Sequence, residues 1–203
     1  TQEQLAHRVG KSREHITNLL RLLKLPEDVH VTLSDQSQGM VKDARNYVGE
    51  GKGQISYQMI DCRQIPKEDH SFDKVIANHV LFYLDDRQQV FNEIKRVLKQ
   101  NGTFICSTYG SSHMQEITQL IKDFDERITL SDHKLYDVFG LENGEEQLKK
   151  VFSQVKEIDY EDELLVDQPE PLISYILSCH GNQHEYLNHR YLEFKDFVRK
   201  KMA

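Results

Sequence analysis

Two carboxylates stand at matching places in this chain. Asp35 follows the strand-like run Val31-Thr-Leu-Ser, and Asp61 follows Ile55-Ser-Tyr-Gln-Met-Ile60. In an open parallel sheet, ligands gather at the carboxyl ends of the strands, so residues in those places are weighed first for chemistry. Asp35 can accept two hydrogen bonds from a ribose diol, with Gln36 and Met40 leading into the next element. Asp61 can take a proton of an exocyclic amine while the N–H of Cys62 meets a ring nitrogen. An acid after each of two successive strands suits an adenosine. Further on, Asn78-His79 follows a third strand-like run with Tyr83 close behind, and Tyr109 and His113 follow a fourth. Histidine titrates near neutrality, so His79 and His113 are the candidates for moving a proton, while Tyr83, Tyr109 and His113 are candidates for lining a substrate cavity. Plainer roles stand beside these: Asp35 and Asp61 as helix N-caps or loop acids, and the histidines as structural or surface residues. Cys179-His180 with His184 and His189 lacks the ligand spacing of a closed zinc site, so no metal is expected.

Elements in regular alternation are needed to bring these residues together. The spacing predicts a strand over Val31–Asp35, a helix over Gly39–Val48, a strand over Ile55–Ile60 and a third strand over Phe72–Asn78. Arg87–Lys99 carries Val90, Ile94, Val97 and Leu98 at the spacing of one helix face. Gln100-Asn101-Gly102 then reads as a turn into a strand over Thr103–Thr108. This order predicts a mostly parallel sheet with helices on both faces. Beyond Ser111 the pattern predicts helices over Gln115–Asp125 and near Gly144–Val151, a strand pair around Val155–Tyr160 and Leu164–Val166, and two closing helices. His113, Tyr136, Phe139, Tyr160 and Tyr175 fall where either an acceptor cavity or ordinary core would be.

A chain of 203 residues can bury a proper core. Its net charge of -7 is unevenly spread: the first thirty residues hold five Lys/Arg against four Asp/Glu, and the remainder 21 against 29. So acidic a body is not built as a nucleic-acid surface. No apolar run approaches the roughly 18 residues of a membrane helix, and the first residues are too polar for a secretory signal, so a cytoplasmic location away from membranes is expected. Cys62, Cys106 and Cys179 are too far apart for a Cys-x-x-Cys knuckle or a disulfide framework, and reduced thiols are expected.

Four segments in order, VTLSDQSQGMVKDAR, DCRQIP, SFDKVIANHVLFYLDD and EIKRVLKQNGTFICSTYG, closely resemble the small-molecule class I methyltransferases that use S-adenosylmethionine. The resemblance covers about residues 30–203 and implies an α/β domain with a Rossmann-like sheet. By it, Asp35 binds the cofactor ribose, Gln36 is a further cofactor-binding residue, Met40 packs near the adenine, Asp61 and Cys62 read the adenine edge, and Asn78 with His79 faces the methionine and methyl group. The implied reaction is methyl transfer to a small-molecule acceptor. A base is optional in such chemistry, and alignment and desolvation provide much of the rate.

The first 29 residues depart from that pattern. The usual first strand and its glycine-rich loop are missing, and TQEQLAHRVGKSREHITNLLRLLKLP resembles the helix-turn-helix of ParB-type partition proteins, with Arg13, His15, Thr17 and Asn18 outward on a recognition helix. One copy would make few phosphate contacts on an acidic protein, so DNA binding is not the expected role unless a homodimer forms. Counting instead back from Asp35, Gly10 lies 25 positions upstream, close to the span from the first loop glycine to the ribose acid, yet Lys11, Ser12 and Arg13 stand where further glycines belong. The expectation is therefore an enzyme with a weakened cofactor cradle. The alternative is a non-catalytic, regulatory protein of the same fold whose first helices contact DNA or a partner.

Overall fold

The computed structural model describes residues 26, 28–49, 54–131, 133–159 and 165–202. Gly10 and the helix-turn-helix expectation lie outside the described residues. The chain divides into two compact units, one of residues up to Asp73 with Asn92–Gly102, the other of Lys74–Phe91 with residues from Thr103 onward.

In the first unit, β1 (Val31–Asp35) and β2 (Ile55–Met59) pair in parallel, Val31 against Ile55 through Asp35 against Met59. Between them runs α1 (Gln38–Val48), which Ser37 starts by accepting the Met40 N–H on its Oγ, an N-cap bond at 3.4 Å. Gly49 ends it at a φ of 76°, a left-handed conformation that a side chain would strain, and its carbonyl accepts the Tyr57 hydroxyl at 2.6 Å. Val48, Ile55 and Tyr57 are buried, with Leu33, Val41 and Ala44 packed on them. A second set of contacts gathers the loop after β2. Arg96 donates to the carbonyls of Ile65 and Lys67 and pairs with Glu93 and Asp69, while Glu93 also accepts the Ile65 N–H.

β3 (Phe72–Asn78) and β4 (Leu98–Ser107) form a second two-stranded sheet, joined by α2 (Arg87–Val97). Ser71 N donates to Val97 O and His79 N to Ser107 O, so partner numbers rise together, the parallel sense. The four expected strands are all present, but as two pairs rather than one continuous sheet among the described residues. The expected turn at Gln100–Gly102 is instead part of β4. Lys99 reaches both Asp73 oxygens at 2.9 and 2.8 Å, and a Cβ on Gly102 would come within 3.2 Å of the Asp73 carbonyl, so these residues stay against β3 instead of turning away. The helix expected over Arg87–Lys99 ends at Val97, because Leu98 and Lys99 already belong to β4, but its apolar face is the expected one: Val90, Ile94 and Val97 are buried, as is Leu98 just beyond.

The second unit continues with α3 (Gln115–Phe124), α4 (Leu135–Val138), α5 (Gly144–Lys149), α6 (Pro169–Ser178), α7 (Gln183–Leu187) and α8 (Tyr191–Met202). Three helices close the chain rather than two. The expected strand pair around 155–160 and 164–166 is not formed at its described residues. Charged Lys156, Glu157 and Asp159 interrupt the run, and Ile158 and Leu165 are 74% and 94% exposed, so neither segment has a face to bury. Two cores result. Ile121, Ile128, Leu172, Ile173, Ile176, Leu187, Phe194 and Val198 form one between helices. Leu81, Phe82, Phe91, Phe139 and Val151 form the other, against which Ala77, Phe104 and Cys106 from the two strands pack.

Candidate functional site

Asp35 and Asp61 stand at the same end of the β1–β2 pair. Asp35 is the last residue of β1, opposite Met59, and Asp61 lies two residues beyond Met59, with Ile60 N donating to Asp35 O at 3.1 Å. The Asp35 carboxylate is exposed and accepts the Ser37 N–H on Oδ1 at 2.7 Å, which turns the chain into α1. Gln36 is exposed beside it, and Met40 is 55% exposed in the first turn of α1. This is a carboxylate held by its neighbour and open to a diol.

Asp61 is engaged. Arg63 sets its guanidinium across both oxygens, Nε at 3.0 and 3.1 Å and Nη2 at 2.6 Å, and gives its own N–H to Oδ1 at 2.9 Å. These bonds hold the Asp61 carboxyl below its ordinary range. An amine ligand would have to displace the side-chain fork, although the pair is exposed enough for Arg63 to swing aside. Cys62 is half-buried, and its thiol is pushed up by that burial and then by the neighbouring Asp61 charge.

The remaining candidates gather in the second unit around Tyr109. Asn78 ends β3, and its Oδ1 accepts the Ser107 hydroxyl at 3.3 Å. His79 follows at a φ of 49°, a conformation uncommon outside glycine, with its N–H held on Ser107 O at 3.1 Å. That turn brings the imidazole against Tyr109, ring centres 6.2 Å apart and planes within 25°. On the same tyrosine lie His113 at 4.8 Å, Phe82 at 5.4 Å and Tyr136 at 6.4 Å, and Tyr83 packs edge-on to Phe82 at 4.6 Å. Burial pushes the Tyr109 hydroxyl up, with Tyr83 and Tyr136 adding to it. His113 keeps an exposed side, yet partial burial and then His79 lower its pKa, which favours the neutral imidazole. Four of the expected residues, His79, Tyr83, Tyr109 and His113, thus form one cluster with Tyr136, and the backbone of β3 and β4 fixes its base.

Sequence reasoning missed Arg63, although an Asp-x-Arg turn is a readable ion-pair signal. It also missed Glu142, whose Oε1 accepts the Ser111 N–H at 2.7 Å two residues before His113. Nothing local marks Glu142, because its partner is 31 positions away. The described residues include no group of His, Cys, Asp and Glu able to hold a metal ion, and none of their helices is long and apolar enough to cross a membrane.

Residues 9–106 match the model of a family described as a methyltransferase domain. That stretch is similar to the class I, S-adenosylmethionine-dependent methyltransferase domains. The methyltransferase match starts at Val9, so it reaches back past Gly10 into the segment that also resembles a helix-turn-helix. The chain is 32% identical to the O-methyltransferase resE of Aspergillus sclerotiorum over 140 residues, 68% of this chain and 47% of that protein. A 40-residue stretch is 55% identical to the stage 0 sporulation protein J of Bacillus subtilis, 20% of this chain and 14% of that one. Among solved structures, the MccD protein superposes with a TM-score of 0.52 at 18% identity, covering 86% of this chain and 73% of that one, a likeness of fold. The chain spans less than half the length of the curated relatives it matches. The methyltransferase fold accounts for the α/β order, and the cofactor of such domains is S-adenosylmethionine.

Proposed function

We propose that the chain binds S-adenosylmethionine at the carboxyl ends of β1 and β2 and, as a separate reading of the second unit, that the Tyr109 cluster takes a small-molecule methyl acceptor. The observation that carries the reading is the pair Asp35 and Asp61, set at one end of two adjacent parallel strands in a methyltransferase-matched region. Asp35 fits the ribose diol: it is exposed, oriented by Ser37, and open on its outer side. Asp61 and the Cys62 N–H fit an adenine edge once Arg63 has moved off. The family match that begins at Val9 supports Gly10 as the position of the first loop glycine. When bound, the cofactor supplies an electrophilic methyl on a sulfonium.

On the acceptor side, Asn78 and His79 end β3 beside the Tyr109 cluster, and Tyr83 and Tyr109 offer ring faces to an acceptor. His113, biased to its neutral form, takes up the proton that an acceptor hydroxyl or amine releases as its oxygen or nitrogen bonds to the methyl. His79, on the same ring of Tyr109, is the second candidate base. The competing reading is a non-catalytic protein of this fold, favoured by the one observation that Arg63 already fills Asp61.

Titration calorimetry with S-adenosylhomocysteine separates the two. The enzyme reading expects saturable heat, and Asp35→Ala weakens binding by about 10- to 100-fold, the worth of hydrogen bonds to a charged group. No heat at millimolar ligand would sink it.

A further inference from the structure

Residues 139–147 bond, directly or through Arg87, to the segments that bring Tyr83, Tyr109, His113 and Tyr136 together. Thr108 Oγ1 donates to Phe139 O at 2.6 Å, and Ser111 N donates to Glu142 Oε1 at 2.7 Å, so the chain is fixed on both sides of Tyr109. His113 lies just beyond, its N–H on Gly110 O at 3.1 Å. Gly110 is buried, and a Cβ there would sit 2.9 Å from Glu142 Oε1, so only glycine lets the carboxylate come this close. Asn143 fastens the helix that carries Tyr136: its Nδ2 donates to Tyr136 O at 2.8 Å and to Asp137 O at 3.3 Å, and its Oδ1 accepts from Gly140 N. Gln147 continues the chain of bonds. Its Nε2 donates to Val138 O at 3.0 Å and to Asn143 Oδ1 at 2.7 Å, while its Oε1 accepts from Arg87 Nε at 2.8 Å. Arg87 Nη1 in turn donates to Leu84 O at 2.6 Å, the residue after Tyr83.

We propose that this segment is a clasp that sets Tyr83, Tyr109, His113 and Tyr136 relative to one another, with Glu142 the positioning residue for the His113 loop. It rests on the reading of the Tyr109 cluster as the acceptor side. Glu142 touches none of the rings. It acts through the Ser111 N–H, and that bond also holds its own carboxyl below the usual range, so the carboxylate form persists. The groups facing His113 are His79 and Tyr109, with Tyr83, Tyr136 and Tyr175 beyond Tyr109, and Tyr175 also donates its hydroxyl to the neighbouring Met114 Sδ at 3.3 Å. No other charged group is needed to account for its neutral bias.

Amide hydrogen exchange and histidine-ring NMR on the full chain, without ligand, test the clasp. Glu142→Ala removes the acceptor for Ser111, while Glu142→Gln keeps an amide oxygen in its place. In Glu142→Ala the amides of Ser111 to Met114 should exchange about tenfold faster or more, and the His113 titration should move up toward the ordinary imidazole range as the ring leaves Tyr109. Exchange in α6 and α8 should be unchanged, and Glu142→Gln should restore both readouts. Gln147→Leu should instead loosen the Leu84 and Val138 segments and leave Ser111 protected. Unchanged Ser111 exchange with an unchanged His113 titration in Glu142→Ala overturns the proposal, as does a Glu142→Gln variant that behaves like the alanine. If the clasp holds but His113→Gln transfers methyl at the full rate, only the assigned role of His113 falls.

Discussion

At the scale of single residues, Arg63 controls how Asp61 presents itself. Since the fork is exposed on both sides, its hold is weak, and freeing the acid should help an adenine more than it harms the fold. Arg63→Ala is therefore expected to tighten S-adenosylhomocysteine binding by about two- to fivefold in calorimetry; weaker binding would mean that Arg63 itself contacts the ligand. His113 carries a pH prediction. Its folded pKa is lowered, so the neutral form is present above that value and is lost as pH falls through it. The methyl-transfer rate should fall on the acid side below the ordinary imidazole value of about 6.5, and His113→Gln should lower the rate and flatten that limb. The acids at the strand ends were legible because each ends a two-period run. Their bonding was not, because whether a carboxylate is open, as at Asp35, or forked, as at Asp61, depends on a rotamer two residues away. Nor does the sequence foretell that His79 takes a positive φ, which is what lays its ring on Tyr109.

At the scale of elements, strands and long helices were readable where burial enforces a period. Phe72–Asn78 matches the expected bounds, and the α2 face is the expected one. Failures came where distant partners override local signals: Asn101-Gly102 reads as a turn, yet β3 holds it in a strand, and the apolar residues of 155–159 find no face to join. Among the helices, Phe194 is fully buried between Phe124, 5.1 Å away, and the α6 residues of its core. Phe194→Ala should cost about 3–5 kcal/mol in chemical denaturation, the range for deleting a buried aromatic ring. Asp125 links α3 to the start of α8, with Arg127 at 2.6 Å and Arg190 at 2.8 Å. Arg127 first, and Arg190 after it, hold the Asp125 carboxyl well below its usual range. A depressed folded pKa gives stability that is complete above the unfolded value of about 3.9 and is lost as pH falls through the folded one. Thermal midpoints measured from about pH 6 down to about 2 should therefore fall less steeply in Asp125→Asn than in the parent; parallel curves would show that the pair contributes nothing.

At the scale of the whole chain, the apolar clusters of the described residues differ in size. Among the described residues, the cluster around α1, β1 and β2 has three buried residues, whereas the helical cluster of the second unit has eight. Local opening follows buried contact, so the amides of β1 and β2 should exchange before those of α6 and α8. The reverse order would place the stable nucleus in the first unit. Cysteine chemistry separates along different lines. Burial raises the thiols of Cys62 and Cys179 and pushes that of Cys106 up to about 11. Thiolate, not thiol, attacks a maleimide or an aromatic disulfide, so the native chain should react sluggishly with such reagents at neutral pH and quickly once denatured. The native thiols are thus expected to label slowly, and a cysteine placed at an exposed position such as Ser153 should take a fluorophore ahead of them.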